Sequence, residues 1–408
     1  MGVNELNNIV VLGGGAAGFF AAIACAEANP GLHVNLLERT PHVLEKVRIS
    51  GGGRCNVTHA CFDPAVLVTY YPRGGKVLRG PFSRFQPRDT VAWFEAHGVP
   101  LKTEDDGRMF PETNQSQTIV DCLQSAARAA GVDVQTAVEV KTLSREGESY
   151  TLSLANGESR AARRVILTTG SSPLGWEWAK ALGHTLLPPV PSLFTFLIAD
   201  PRLEGLAGVS VPKAKLGLKG TRLSQTGALL ITHQGLSGPA VLGLSAWGAR
   251  ELQTRDYRAQ IIINWLPNLT AEDVLLSLQK YRSIQLRRAT PGHGPFRLPR
   301  RLWERLASTA GIVAGAHWSE VSKERLHVLA GELTAGLYPV SGKNPNKEEY
   351  VTCGGVRLDE VDFRTMESKK SPGLYFAGEI LDIDALTGGF NFQNAWTTGW
   401  IAGRSAAR

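Results

Sequence analysis

Hydrophobic positions along the chain change regime three times. In the first forty residues, "NIVVLGGGAAGFFAAIACAEANPGLHVNLLER", a short apolar run from 9 to 12 is cut by glycines. A small-residue and apolar stretch follows from 16 to 26, then a second short run at 33–37. Short apolar runs bounded by glycine predict buried parallel strands, and the longer block between them predicts a helix. "RVILTTGSSP" reads as a further strand of the same kind, and "GVDVQTAVEVKTL" as strand as well. From 192 to about 264 the pattern becomes short runs ("LFTFLI", "AKLGL", "GALLIT", "AQIIINWL") separated by Gly/Pro turns, which predicts antiparallel strands. Helical periodicity takes over from 270 to about 332, and "TAGLYPVSG" reads as one more strand. Between them "SGP" at 237–239 predicts a helix start with Ser237 as its N-cap. Finally 374–377 predicts a strand, and Gly388-Gly389 introduce a terminal helix. The fold class is therefore α/β, with an insert of different character.

The first turn carries G-x-G-x-x-G at Gly13, Gly15 and Gly18. These allow, in order, a sharp turn, close approach of a pyrophosphate, and packing of helix on strand. The helix start at Ala16 and Ala17 offers unpaired amides and a partial positive charge to that phosphate. Glu38, 20 residues beyond Gly18 and followed by Arg39, stands where a carboxylate accepts bonds from ribose hydroxyls. A dinucleotide is expected here. The C-terminal stretch points to FAD rather than NAD. Gly378-Glu379 follow a strand, with Glu379 placed for ribityl hydroxyls. Gly388, Gly389 and Asn391 sit at a helix N-terminus suited to the pyrimidine end of a reduced flavin. Small residues along that helix would let it lie close to a sheet or a flat ring. Thr169-Gly170 ends a strand returning to the dinucleotide, and Val140 supplies the expected backbone contact with the adenine.

"SGGGRCNVTHAC", at 50–61, admits two uses: a phosphate cradle, or a redox pair of Cys55 and Cys61. Disulfide-reducing flavoenzymes use C-x-x-x-x-C, and here the pair has five intervening residues. No second glycine fingerprint appears between 150 and 340, and no histidine follows His327. The cradle reading is preferred. Ser50, Gly51 and Gly52 give backbone amides, Lys46, Arg48 and Arg54 give positive charge, and Asn56 gives a side-chain amide. Cys55 is then a small filler.

Charge adds little to this picture. The 408 residues carry a net +7, with 44 Lys and Arg against 37 Asp and Glu, in short basic runs at 163–164, 286–288 and 299–301. Scattered arginines argue against a nucleic-acid surface, so the excess reads as solubility and attraction for anionic cofactors. Five cysteines without C-x-x-C suit a reducing cytoplasm rather than a disulfide framework. Two uncharged stretches, 9–26 and 225–249, are too interrupted by glycine and polar residues to read as membrane spans.

"GGGAAG", "SGGGRCNVT", "GRMFP", "THQGLSGPAVL", "TCGGVRLDEVDFRTMESK" and "LYFAGEILDIDALTGGFNFQNAWTTGWIAG" together resemble the bacterial FAD-dependent oxidoreductases of the aminoacetone oxidase-like family. That group includes reductases of unsaturated bile-acid intermediates. The resemblance implies a Rossmann-like, glutathione-reductase-type FAD domain (1–190 and 345–408), a β-barrel-like insert (191–269 and 333–344) and a helical subdomain (270–332). It also implies hydride transfer through the flavin to or from a small organic substrate. Two versions remain open: reduction of a conjugated C=C bond fed transiently by NADH or NADPH, and amine or alcohol oxidation using oxygen. A flavin-dependent tRNA-modifying or RNA-binding protein is the alternative from another class. His233, Arg108 and Cys353 are the candidate catalytic side chains. Trp303 and Trp318 are expected in a core, and no metal site is expected.

Overall fold

The computed structural model describes residues 8–292, 294–344 and 351–408. The expected return to the FAD domain at 345 lies outside the described residues. The chain packs as two compact units, Met1–Pro189 with Thr352–Arg408, and Val190–Val351.

The first unit is built on parallel strands. β1 (Asn8–Leu12) is followed by α1 (Ala16–Ala28) and β2 (His33–Leu37). β1 pairs with β2 on one side, Ile9 opposite Val34, and with Arg164–Leu167 on the other, Val10 opposite Val165. Asp133–Gln135 and Leu374–Phe376 extend the parallel sheet outward, and the short strands 361–362 and 367–368 close one edge antiparallel. Strands covered on both faces can be apolar throughout, and 9–12 are all essentially inaccessible. α1 is apolar on every side because both of its faces are covered. The sheet lies on one side, and the C-terminal helix Phe390–Ala406 lies on the other. A Cβ at Gly399 would lie 2.6 Å from the Ala17 carbonyl oxygen, and one at Gly403 only 2.1 Å from that of Ala21. Gly399 and Gly403 therefore serve the crossing of this helix with α1.

The second unit is an antiparallel seven-stranded sheet with helices. Its central strands are β3 (Ser210–Leu218), β4 (Ser224–Ile231), β5 (Ala259–Asn264) and β6 (Gly336–Val340), ordered β6-β5-β3-β4. Helix α2 (Pro239–Trp247) packs on β3 and β4. Its N-cap is Gly238, at φ +97°, and Ser237 ends a strand instead of capping. Glycine takes the cap because a Cβ at 238 would meet the Ala228 carbonyl oxygen at 2.9 Å. The helices between 271 and 335 share one apolar core with the sheet, and Trp303 and Trp318 stack inside it.

The strands by which the chain leaves and re-enters the first unit, Leu186–Ser192 and Val351–Val356, pair with each other. Gly354 makes this possible, and Gly355 lets the same strand lie against the segment at Ile380. Both have positive φ, and Cβ atoms there would lie 2.5 Å from the Pro188 carbonyl and 2.4 Å from that of Ile380.

Beyond the sheet edge lies a buried polar network. His184 meets Ser368 Oγ at 2.7 Å and Glu360 at 3.3 Å, while Glu360 also pairs with Lys370 at 2.7 Å. Burial works against the Glu360 charge, but the Lys370 ammonium and the Thr185 N–H outweigh it and hold its carboxyl down at about 2. A depressed carboxyl stabilises the fold above its unfolded value, and that contribution disappears as pH falls toward the folded one. Melting temperature should therefore decline between about pH 4.5 and about pH 2. Glu360→Gln should lower it at neutral pH and flatten that decline, as scanning fluorimetry across the range would show.

Candidate functional site

Adjacent parallel strands end together at Leu12, Leu167 and Phe376, and the predicted site residues gather at that edge. Gly13 turns with φ +112°, its N–H bonded to the Leu37 carbonyl at 2.9 Å, and a Cβ there would strike the Thr168 carbonyl at 2.7 Å. A Cβ at Gly18 would lie 1.9 Å from the Gly13 oxygen. Gly15, the N-cap of α1, differs: its φ of −92° suits any residue, and a Cβ there meets no protein atom within 4 Å. No described protein atom requires glycine there, whereas a pyrophosphate seated on the amides of Ala16 and Ala17 would.

Glu38 is fixed by the backbone. Oε2 accepts from Gly14 N–H at 2.8 Å, while Oε1 accepts from Thr40 N–H at 2.8 Å and Thr40 Oγ1 at 2.9 Å, which leaves a lone pair on Oε2 for a ribose. Arg39 is exposed beside it. The segment running past Glu38, between the strands Asp133–Gln135 and Val140–Glu146, does so through Val138, whose N–H bonds the Glu38 carbonyl at 2.9 Å, and Val140 is buried opposite Leu154. Thr169 has a buried hydroxyl with no hydrogen-bond partner among the described residues, next to Gly170 at φ +59°. Such an orphan at the edge of a dinucleotide turn also fits a bound group.

The glycine run at 50–56 is not a simple loop. A helix starts at Glu45, tied to the fingerprint by Leu44 N–H to Gly14 O at 2.8 Å, and breaks at Ser50. Gly51, Gly52, Gly53 and Cys55 then all adopt positive φ. The Cβ positions of Gly52 and Gly53 face open space. The expected cationic charges all have partners. Lys46 pairs with Glu379 at 2.6 Å, Arg48 with Glu45 at 3.6 Å, and Arg54 with Glu104 at 2.6 Å while stacking on Phe110. The Lys46–Glu379 pair joins residues from opposite ends of the chain. Glu379 also accepts from Thr352 N–H at 3.0 Å, and Gly378 N–H donates to Thr398 Oγ1. Asn56, its amide oriented to satisfy both groups, donates to the Thr58 carbonyl and accepts from Gly389 N–H at 3.0 Å. Gly388 and Gly389, both at positive φ, introduce the C-terminal helix as expected. Asn391 spends its amide on both backbone groups of Ala385, so it closes the preceding loop.

Of the catalytic candidates, Arg108 is held by Asp106 at 2.7 Å and Cys353 is fully buried. His233 is exposed in the second unit. The structure brings forward residues that sequence reasoning missed. Tyr70, Phe390 and His59 form a ring stack at the Gly388-Gly389 turn, with centroids 4.2 Å apart for Tyr70–Phe390 and 4.7 Å for His59–Phe390. His59 Nε2 lies 3.1 Å from the Asp106 carbonyl, which can only accept, so that nitrogen carries the proton. Burial keeps the imidazole below its usual range, hence neutral, and leaves Nδ1 as a buried acceptor with no donor among the described residues. Nearby, Arg73 binds both oxygens of the fully buried Asp384. Aspartates inside the apolar run "EILDIDAL" were the available signal for that pair.

Comparison with known proteins agrees with this geometry. The HI0933-like protein Rossmann domain matches residues 7–405. The chain belongs to that family. A ribosomal RNA dihydrouridine synthase of Escherichia coli K12 is 31% identical, covering 97% of both chains. A 3-dehydro-bile acid delta(4,6)-reductase of Clostridium scindens is 29% identical, covering 98% of this chain and 99% of the relative. Among solved structures, the 3-ketosteroid-Δ4-(5α)-dehydrogenase of Rhodococcus jostii RHA1 shares the fold, at TM-score 0.54 and 18% identity over 98% and 96% of the two chains. This member of the family is an FAD-dependent oxidoreductase. No helix among the described residues is long and apolar enough to cross a membrane, and no metal-binding cluster is found among them.

Two substitutions separate fold from ligand. Gly18→Ala should prevent stable folding, since the added carbon has no room. Gly15→Ala should leave the apoprotein melting temperature unchanged yet weaken FAD retention about tenfold or more, roughly 1.4 kcal/mol, read by flavin fluorescence after dialysis. Cys55 is a separate case: fully buried and with a thiol pushed up to about 12 by burial, it should resist iodoacetamide at about pH 8 in the folded protein and react once denatured.

Proposed function

We propose that this protein reduces a carbon–carbon double bond conjugated to a carbonyl, with NADH or NADPH as the reductant. The observation that carries the reading is agreement in chemistry among relatives that differ in substrate. Dihydrouridine is a uracil ring whose C5–C6 bond, conjugated to the C4 carbonyl, has been saturated. A 3-oxo steroid with unsaturation at positions 4 and 6 offers the same electronic arrangement. A second ribosomal RNA dihydrouridine synthase, from Haemophilus influenzae, is 28% identical over 100% of both chains. Substrate varies among these names, while the bond does not.

FAD, when bound, supplies the hydride, and the protein supplies orientation and electrostatics. In this chain the amides of Ala16 and Ala17 and the carboxylate of Glu38 would hold the dinucleotide. Lys46 fixes Glu379 beside Gly170. Hydride addition builds negative charge on the substrate carbonyl oxygen, and a helix N-terminus offers positive potential for it. The Gly388-Gly389 turn presents one. His59 Nδ1, an acceptor lacking a donor, would receive a hydrogen bond from a ring N–H or hydroxyl placed against the Tyr70–Phe390 stack. The neighbouring carbon takes one proton, so each turnover consumes one pyridine nucleotide and one proton.

Anaerobic titration of the FAD-loaded protein with NADPH, then NADH, tests this directly. Absorbance near the flavin maximum should bleach with one of them at one equivalent per flavin, and return on adding a conjugated enone but not its saturated analogue. A flavin that stays oxidised with both nucleotides, or reoxidises only with oxygen, would remove the proposal.

A further inference from the structure

The basic excess of the chain is not spread evenly. Val190–Val351 holds 20 Lys and Arg against 12 Asp and Glu, a net +8, while the remainder holds 24 against 25. The insert therefore carries the whole surplus, which short basic runs in the sequence concealed.

Within the insert the charge has a definite place. Alternation along β3 buries Ala214, Leu216 and Leu218 and turns Lys213 and Lys215 outward, with exposed Lys219 following at the strand end. Side chains two apart on a strand face stand about 7 Å apart. Register sets Lys215 beside Thr226 of β4 and Asn264 of β5, while the Lys219 backbone pairs with Gln260. Other positions on that face, Gly217, Ser224, Ile262, Leu337 and Pro339, add neither a carboxylate nor an aromatic ring. Lys213 and Lys219 touch only side-chain amides, of Asn268 and Gln260. Among the described residues these lysines have no carboxylate partner, and a lysine row set among amides, hydroxyls and a few aliphatic side chains is complementary to a polyanion.

We infer that the outward face of β3, β4 and β5 docks the sugar–phosphate backbone of a folded RNA. Missing aromatics disfavour splayed single strands, which bind by base stacking. Amides and hydroxyls between the lysines match the phosphates and 2′-hydroxyls displayed by a helical RNA. This inference rests on the reductase reading, with a uracil ring as bearer of the reducible bond. It adds the surface that would hold the polymer.

The test uses the FAD-loaded full-length protein and a fluorescein-labelled RNA hairpin with uracils in its loop, followed by anisotropy at several salt concentrations. The wild type should bind, and K213E/K215E/K219E should weaken binding at least tenfold. A neutral K213Q/K215Q/K219Q variant should reduce the log–log salt slope by about 2–3, as expected for three lost phosphate contacts. R79E/R128E/K180E, which changes charge equally on the other unit, should bind like wild type. No binding by the wild type overturns the inference. So does equal loss in both reversal sets, or a preference for phosphatidylglycerol vesicles over the hairpin. Flavin reoxidation by a small enone is measured in parallel on the same variants. It should be unchanged by the lysine substitutions, and its absence in the wild type would count against the reductase reading alone.

Discussion

Everything at the candidate site depends on how closely backbones approach at one point. The carbonyl of Gly13, the start of α1 and the end of the neighbouring strand at Thr168 leave no room for a side-chain carbon at positions 13 or 18. Thr168 Oγ1 closes the gap by donating to the Leu12 and Gly13 carbonyls, both at 2.9 Å. With that contact made, α1 begins at the strand ends and aims its unpaired amides across them. The C-terminal helix then seats on α1 through Gly399 and Gly403, so the last residues of the chain depend on the geometry of the first.

Long-range polar contacts translate that packing into a site. Lys46 and Glu379, and Asn56 and Gly389, each unite an early segment with the final one. The charged side chains of the glycine-rich run are drawn into the same set of contacts. Arginines in the glycine-rich run balance nearby carboxylates, while Thr169 Oγ1 and His59 Nδ1 stay without a hydrogen-bond partner among the described residues. Amides bind phosphate without the desolvation cost that a buried, unpaired guanidinium would carry.

Much of the fold was legible in the sequence because it is local. Glycine spacing, the apolar runs and the carboxylate at position 38 are short-range signals with steric causes. What escaped was non-local. Nothing near His59 announces that Phe390 and Tyr70 will flank it, and nothing near Arg73 names Asp384. The Ser237 cap failed for a related reason: the carbonyl of Ala228, on an adjacent strand, demands glycine at 238. The basic face escaped because alternate residues of one strand, split by apolar ones, do not look like a run.

The paired strands at Leu186–Ser192 and Val351–Val356 make the insert a piece of chain with its exit and entrance at one doorway. A segment attached in this way can lengthen, change charge or be recast between its two ends while the strand order of the dinucleotide sheet stays as it is. For a chain whose named relatives range from a bile-acid reductase to a ribosomal RNA dihydrouridine synthase, such a doorway keeps two stretches of sequence apart. One carries the glycine turns of the dinucleotide sheet, and the other can change in length and composition without altering them.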